Sequence, residues 1–355
     1  MLHVIGILVL LVLALVQGAS ASLSNAFPVS LLDDGAGNEA LIIEGIVCGE
    51  RVLFLIDTAY AGAPVLSVSY MNCIRKNPRL TSMGSAQTRF WATMKSLETE
   101  MTNHDMHETL NEYVERGACK TFTSGCTMRL MGIGETSEAQ SEMLLCPPIA
   151  LAGRKKWRWD ADVFVTNPLP GSPHILTSDY LLHNGPALIE PAKGRLTLRA
   201  GVKRREFDLF EAYLVGGAFL IPVEVSGVVM NVVVDTGAST TLSLAPSSAA
   251  RLRDRGGCRL RNRKVFQTGV NGENICSDVV SLDVTVGGTK LPGVDVLVNS
   301  QEVEGADGYV GIGILRAFDL YLSRDAIGVR PSGLSPSRLN APLEGRCSAS
   351  VACET

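Results

Sequence analysis

One stretch constrains the fold of this chain more than any other. Val232-Val233-Val234-Asp235-Thr236-Gly237 runs β-branched residues straight into a carboxylate, and the small, turn-prone residues behind it end the strand there. Asp235 is therefore presented at a strand tip. The same arrangement occurs upstream. Gly49-Glu50-Arg51-Val52-Leu53-Phe54-Leu55-Ile56-Asp57-Thr58-Ala59 aligns without a gap on Gly227-Val228-Val229-Met230-Asn231-Val232-Val233-Val234-Asp235-Thr236-Gly237. Each copy reads as hairpin turn, apolar strand and Asp-Thr-small. A single Asp-Thr-Gly is a weak signal, because an Asp at a strand end is more often a turn former than a catalyst. Repetition of the whole pattern points to a duplicated unit.

Both stretches resemble the active-site loops of aspartic peptidases of the pepsin and retropepsin clan. The resemblance implies a mainly β, two-lobed fold in which each lobe is a retropepsin-like β-barrel. The unit endings extend it. Ile175-Leu176-Thr177-Ser178-Asp179-Tyr180-Leu181-Leu182 and Gly308-Tyr309-Val310-Gly311-Ile312-Gly313-Ile314-Leu315 are each an apolar strand followed by a short helix, and each leads to a final hairpin. The expected organisation is a signal peptide at 1–21, a first lobe at 22–200, a charged connector at 201–206, a second lobe at 207–331 and a tail at 332–355. Residues 70–116 have no counterpart in the second unit. Phe90, Met94, Leu97 and Met101 recur there at helical spacing, which predicts a helical insertion in the first lobe.

The duplication is what a paired-acid mechanism requires. Two carboxylates about 3 Å apart cannot both ionise, so they share one proton and act as an acid and a base. By the resemblance, Asp57 and Asp235 are the catalytic pair. Thr58 and Thr236 hydrogen-bond across to the opposite loop, and Ala59, Gly237 and Ser239 support the loops. Gly132-Ile133-Gly134 and Gly269-Val270 are candidate flap tips, glycine giving such a tip its freedom. The first loop departs from the family pattern. Ala59 stands where Gly is usual, Tyr60 where a small or hydroxylated residue is usual, and Thr177 where Gly is usual. These departures keep a second reading open, of a secreted binding or inhibitor protein on a peptidase scaffold.

Bulk properties exclude several other classes. At 355 residues the chain can bury two cores, and a formal net charge of −4 offers no attraction to nucleic acid or anionic membrane. The apolar run Val4–Val16 before Ala19-Ser20-Ala21 is too short to span a bilayer and reads as a cleavable secretory signal. That route favours disulfides among the nine cysteines, one of which is left over. No zinc-spaced Cys or His cluster and no nucleophile elbow occurs. The expectation is a monomeric aspartic endopeptidase acting on polypeptides, without metal or cofactor. It would be secreted or held in an acidic secretory compartment, with no membrane anchor after signal cleavage.

Overall fold

The computed structural model describes residues 25–33, 39–47, 50–60, 64–67, 120–122, 143–145, 150–151, 163–167, 174–183, 185–215, 218–254, 260–268, 274–298, 302–303 and 305–336. The expected signal peptide, the helical insertion, the residues of both candidate flap tips and the side chains of all nine cysteines lie outside them.

Among the described residues the chain is mainly β. The first repeat holds β1 (Ala26–Asp33), β2 (Glu39–Val47), β3 (Glu50–Asp57), β4 (Val65–Ser67), β5 (Lys120–Phe122), β6 (Met143–Leu145), β7 (Ala150–Leu151), β8 (Val163–Asn167) and β9 (His174–Thr177). It closes with helix α1 (Ser178–Leu182) and the hairpin β10 (Ala187–Glu190) and β11 (Arg195–Leu198). The second repeat holds β12 (Asp208–Glu211), β13 (Tyr213–Val215), β14 (Ala218–Val225), β15 (Val228–Asp235), β16 (Leu242–Leu244), helix α2 (Pro246–Asp254), β17 (Leu260–Thr268), β18 (Asn274–Val286), β19 (Thr289–Val298) and β20 (Gly308–Gly311). It closes with helix α3 (Ile312–Leu315) and the hairpin β21 (Phe318–Leu322) and β22 (Ala326–Pro331).

The two repeats place their acid strands identically. β3 pairs antiparallel with β2 and parallel with β9, which brings Asp57 opposite Thr177. β15 pairs antiparallel with β14 and parallel with β20, which brings Asp235 opposite Gly311. The pattern follows from the residues. Val228, Met230, Val232 and Val234 point one way into the main core, whereas Val229 on the other face is 63% exposed. The strands flanking 269–273 form a hairpin, with Thr268 opposite Asn274.

One sheet passes from repeat to repeat. β10 pairs antiparallel with β21, so the order β12-β22-β21-β10-β11-β1 carries three strands of the second repeat beside three of the first. Beneath it, one contiguous apolar cluster takes Phe27, Ile189 and Leu196 from the first repeat and Phe318, Leu320 and Val329 from the second. Charges on the sheet are paired. Glu190 is buried and accepts from Lys193 at 2.7 Å and Arg195 at 2.6 Å. Burial alone would raise its carboxyl, but those hydrogen bonds outweigh it and hold Glu190 below its ordinary value. Arg330 reaches Asp319 at 2.8 Å and Glu206 at 3.1 Å. The buried Glu39 of β2 pairs with Arg316, which follows α3, an ionic tie between the repeats.

Candidate active site

Each Asp-Thr loop is built against the other. Thr58 Oγ1 donates to the Val234 carbonyl at 2.7 Å and accepts from Thr236 N at 3.1 Å. Thr236 Oγ1 donates to the Ile56 carbonyl at 2.7 Å and accepts from Thr58 N at 3.2 Å. Both threonines are fully buried, so these four bonds lock the two strand tips together in a dry environment.

The acids themselves are held alike. Asp57 Oδ1 accepts from Ala59 N at 2.9 Å and Tyr60 N at 3.0 Å. Asp235 Oδ1 accepts from Gly237 N and Ala238 N, both at 2.9 Å. One oxygen of each carboxylate is thereby fixed by its own loop. Asp57 and Asp235 are 7% and 8% exposed, a narrow opening for a charged group. Burial pushes the Asp57 carboxyl up from 3.8 to about 6, against the lowering effect of the two N–H groups. Asp235 is raised well above its ordinary value, first by burial and then by the negative charge of Asp57. Two buried carboxyls that repel each other's ionisation hold one proton between them over a wide pH range.

Gly237 is required by space. A Cβ there would stand 2.6 Å from Asp57 Cγ and 2.7 Å from its Oδ2, closer than non-bonded atoms approach. The matching position in the first loop is Ala59, and its methyl finds a place. It packs against the apolar cluster of Ala218, Leu220 and Val233 in the second repeat. Tyr60 is likewise accommodated through its backbone. Its carbonyl accepts from Ser178 N at 3.0 Å, as the Ala238 carbonyl accepts from Ile312 N at 2.9 Å in the second repeat. Its hydroxyl is pushed up to about 12, first by burial and then by the Asp57 charge.

The Thr177 and Gly311 positions diverge for a local reason. A Cβ at Gly311 would meet the Thr240 carbonyl at 2.3 Å and the Ala238 carbonyl at 2.8 Å, so the loop after Asp235 lies directly over the strand and admits only glycine. In the first repeat the buried Thr177 is the N-cap of α1, its side chain accepting from Tyr180 N at 3.3 Å, a bond that α3 lacks at Gly311. The threonine thus supplies a helix cap where the glycine supplies clearance.

Ser239, expected to support its loop through its side chain, makes no hydrogen bond among the described residues. The main chain does that work: the Ala238, Thr240 and Thr241 carbonyls accept from Ile312 N, Gly313 N and Gly311 N at 2.9, 2.9 and 2.7 Å. Main-chain acceptors are present whatever the side chain, which is why residue type did not reveal them. Tyr309 was missed as a site residue. It lies opposite Val233 on β20, and its hydroxyl is pushed up to about 12 by burial and then by the Asp235 charge. Its place two residues before Gly311, on the strand beneath the acid loop, was the available signal. The candidate flap residues Gly132, Ile133, Gly134, Gly269 and Val270 fall outside the described residues. No group of three or more His, Cys, Asp or Glu that could hold a metal occurs among the described residues.

Comparison with known proteins bears on the second repeat most directly. The sequence model of the aspartyl protease family matches residues 221–315, which run from within β14 through Asp235 to the end of α3. No curated protein matches the chain. Among solved structures, a retropepsin-like aspartic protease from Rickettsia conorii aligns at 17% identity over 34% of this chain and 89% of that chain, with a TM-score of 0.25. The second repeat is thus similar to the aspartyl protease family over Asp235 and its loop, and the first repeat carries the same construction around Asp57.

Proposed function

We propose that this chain is a secreted aspartic endopeptidase of two-lobed build, hydrolysing peptide bonds with a water held between Asp57 and Asp235. The observation that carries this reading is the reciprocal pair of Thr58 and Thr236 bonds, which bring two buried strand-end acids into mutual electrostatic contact. In the mechanism, the ionised member of the pair takes a proton from the water as its oxygen attacks the peptide carbonyl carbon. The protonated member gives its proton to the carbonyl oxygen, and a tetrahedral diol forms. Its collapse breaks the C–N bond, with a proton delivered to the departing nitrogen. No covalent enzyme intermediate arises. The two N–H groups on each Oδ1 hold the carboxylates in place throughout, so little reorganisation accompanies the charge shift.

The test is hydrolysis of an unfolded protein at mildly acid pH. The expected result is cleavage that a statine-type transition-state mimic blocks and that Asp57→Asn or Asp235→Asn abolishes. A specific feature favours a second reading: Tyr60, partly buried beside Asp57, brings a phenol to a loop that elsewhere in the clan is lined by small residues. A folded wild-type chain that cuts nothing but binds peptide would favour a binding protein.

A further inference from the structure

Strand alternation separates the two faces of the second repeat's sheet. Val232 and Val234 belong to the main core, so Val233 and Asp235 face the opposite way. Register carries that face onto the neighbouring strands, where Leu220 of β14 and Tyr309 of β20 both lie opposite Val233. These side chains form a separate apolar cluster in which Ala218, Leu220 and Val233 are buried, and Ala306 and Tyr309 are partly buried against them. The first repeat adds one group to it, the methyl of Ala59. An apolar floor thus lies on the same face as the acid, with an aromatic ring and a methyl drawn from opposite repeats at its border.

The two sides of the acid pair are unequal at this position. In the first repeat Ile175 lies opposite Leu55, as Tyr309 lies opposite Val233 in the second. Ile175 is 1% exposed, whereas Tyr309 is only partly buried and stands close enough to Asp235 to feel its charge. A larger ring therefore occupies space on the Asp235 side that an aliphatic side chain would leave open. Displacing a packed ring to admit another bulky group is overpacking, which well-packed sites resist.

We propose that Tyr309, with Ala59 at the border of the same apolar cluster, is a specificity-determining residue that limits the apolar space beside Asp235, so that the substrate side chain bound there must be small. This rests on the peptidase reading above and extends it to the class of peptide cut: one flanking residue of the scissile bond is Gly, Ala or Ser, and the restriction falls on one side of the bond only.

The experiment is a peptide library varied at the two positions flanking the cleaved bond, with kcat/KM measured for each member on the full chain. At one position the wild type should prefer Ala over Leu or Phe by about tenfold or more, since even one misfitting methylene in a pocket discriminates on that scale. Tyr309→Ile, which installs the first repeat's residue, should shift preference toward Leu and Phe at that position and leave the other unchanged. Ala59→Gly should act in the same direction more weakly, and Tyr309→Trp should sharpen the wild-type preference. Thermal unfolding of each variant separates loss of fold from change of specificity, and Ala59→Gly carries the test if Tyr309→Ile does not fold. Active variants whose preference matches the wild type, or a wild type that prefers bulky residues at both positions, would overturn the inference and leave the peptidase reading standing. If the wild type cuts no peptide, statine-containing peptides bearing Ala or Phe beside the statine are titrated instead, with tighter binding of the Ala peptide expected. Binding of neither overturns the inference together with the reading beneath it.

Discussion

Replacing Thr236 by valine isolates the interlocked loops, because valine keeps the shape of the side chain and deletes only its hydroxyl. That hydroxyl serves two partners, donating to the Ile56 carbonyl and accepting from Thr58 N. Both are buried where water does not substitute, and each orphaned group costs about 1–3 kcal/mol, so Thr236→Val should lose about 2–6 kcal/mol. Thr236→Ser keeps both bonds and removes one methyl, a loss of about 1 kcal/mol. The contrast between the two variants, rather than either value alone, measures the hydroxyl. Urea unfolding at fixed pH gives the free energies directly. In a thermal scan, at roughly 2–4 °C per kcal/mol as for domains of about 150–250 residues, valine should fall roughly 4–24 °C below wild type. Thr58→Val should behave similarly, and the double variant should lose less than the sum, since the same pair of loops is released only once. Equal stability of Thr236→Val and Thr236→Ser would refute the view that these bonds hold the acids together.

Asp57 has a folded-state carboxyl near 6 against 3.8 unfolded, so its contribution to stability is complete below about 3.8 and is lost as pH rises through about 6. Asp57→Asn, neutral at every pH, should therefore gain stability relative to wild type as pH rises from about 4 to about 7, seen in paired denaturant titrations; a constant difference would contradict it. Gly237→Ala places a methyl 2.6 Å from Asp57 Cγ, so activity should drop at least about 100-fold, as expected when a reacting group is displaced by about 1 Å, whereas Ala59→Gly should retain activity. Arg316→Met leaves the buried Glu39 carboxylate without its partner and should cost about 3–5 kcal/mol in urea unfolding, while Glu39→Gln combined with Arg316→Met should recover part of that loss.

The acid strands were legible in sequence because three local signals agree on them: β-branched runs, alternation, and an Asp-Thr-small stop. The closing strand, short helix and hairpin of each repeat were legible through the resemblance to the retropepsin ending. What sequence could not reveal was anything that depends on how one segment lies over another. Thr177 reads as a defect until the helix start at Ser178 makes it a cap. Ala59 reads as a misfit until Ala218, Leu220 and Val233 receive its methyl. Tyr309, in an apolar strand beside glycines, reads as ordinary core, and only the register with Val233 turns it toward the acid. The support assigned to Ser239 goes instead through carbonyls, which every residue carries.

The contrast between Thr177 and Gly311 has a consequence for how such a molecule can change over time. A symmetric pair assembled from two identical polypeptides must accept every substitution twice, so a threonine that caps one helix would also collide with the loop of the other. Joining both copies in a single gene removes that coupling. Each half becomes free to drift at equivalent positions, and asymmetric substrates can be matched by an asymmetric cleft without abandoning the shared plan.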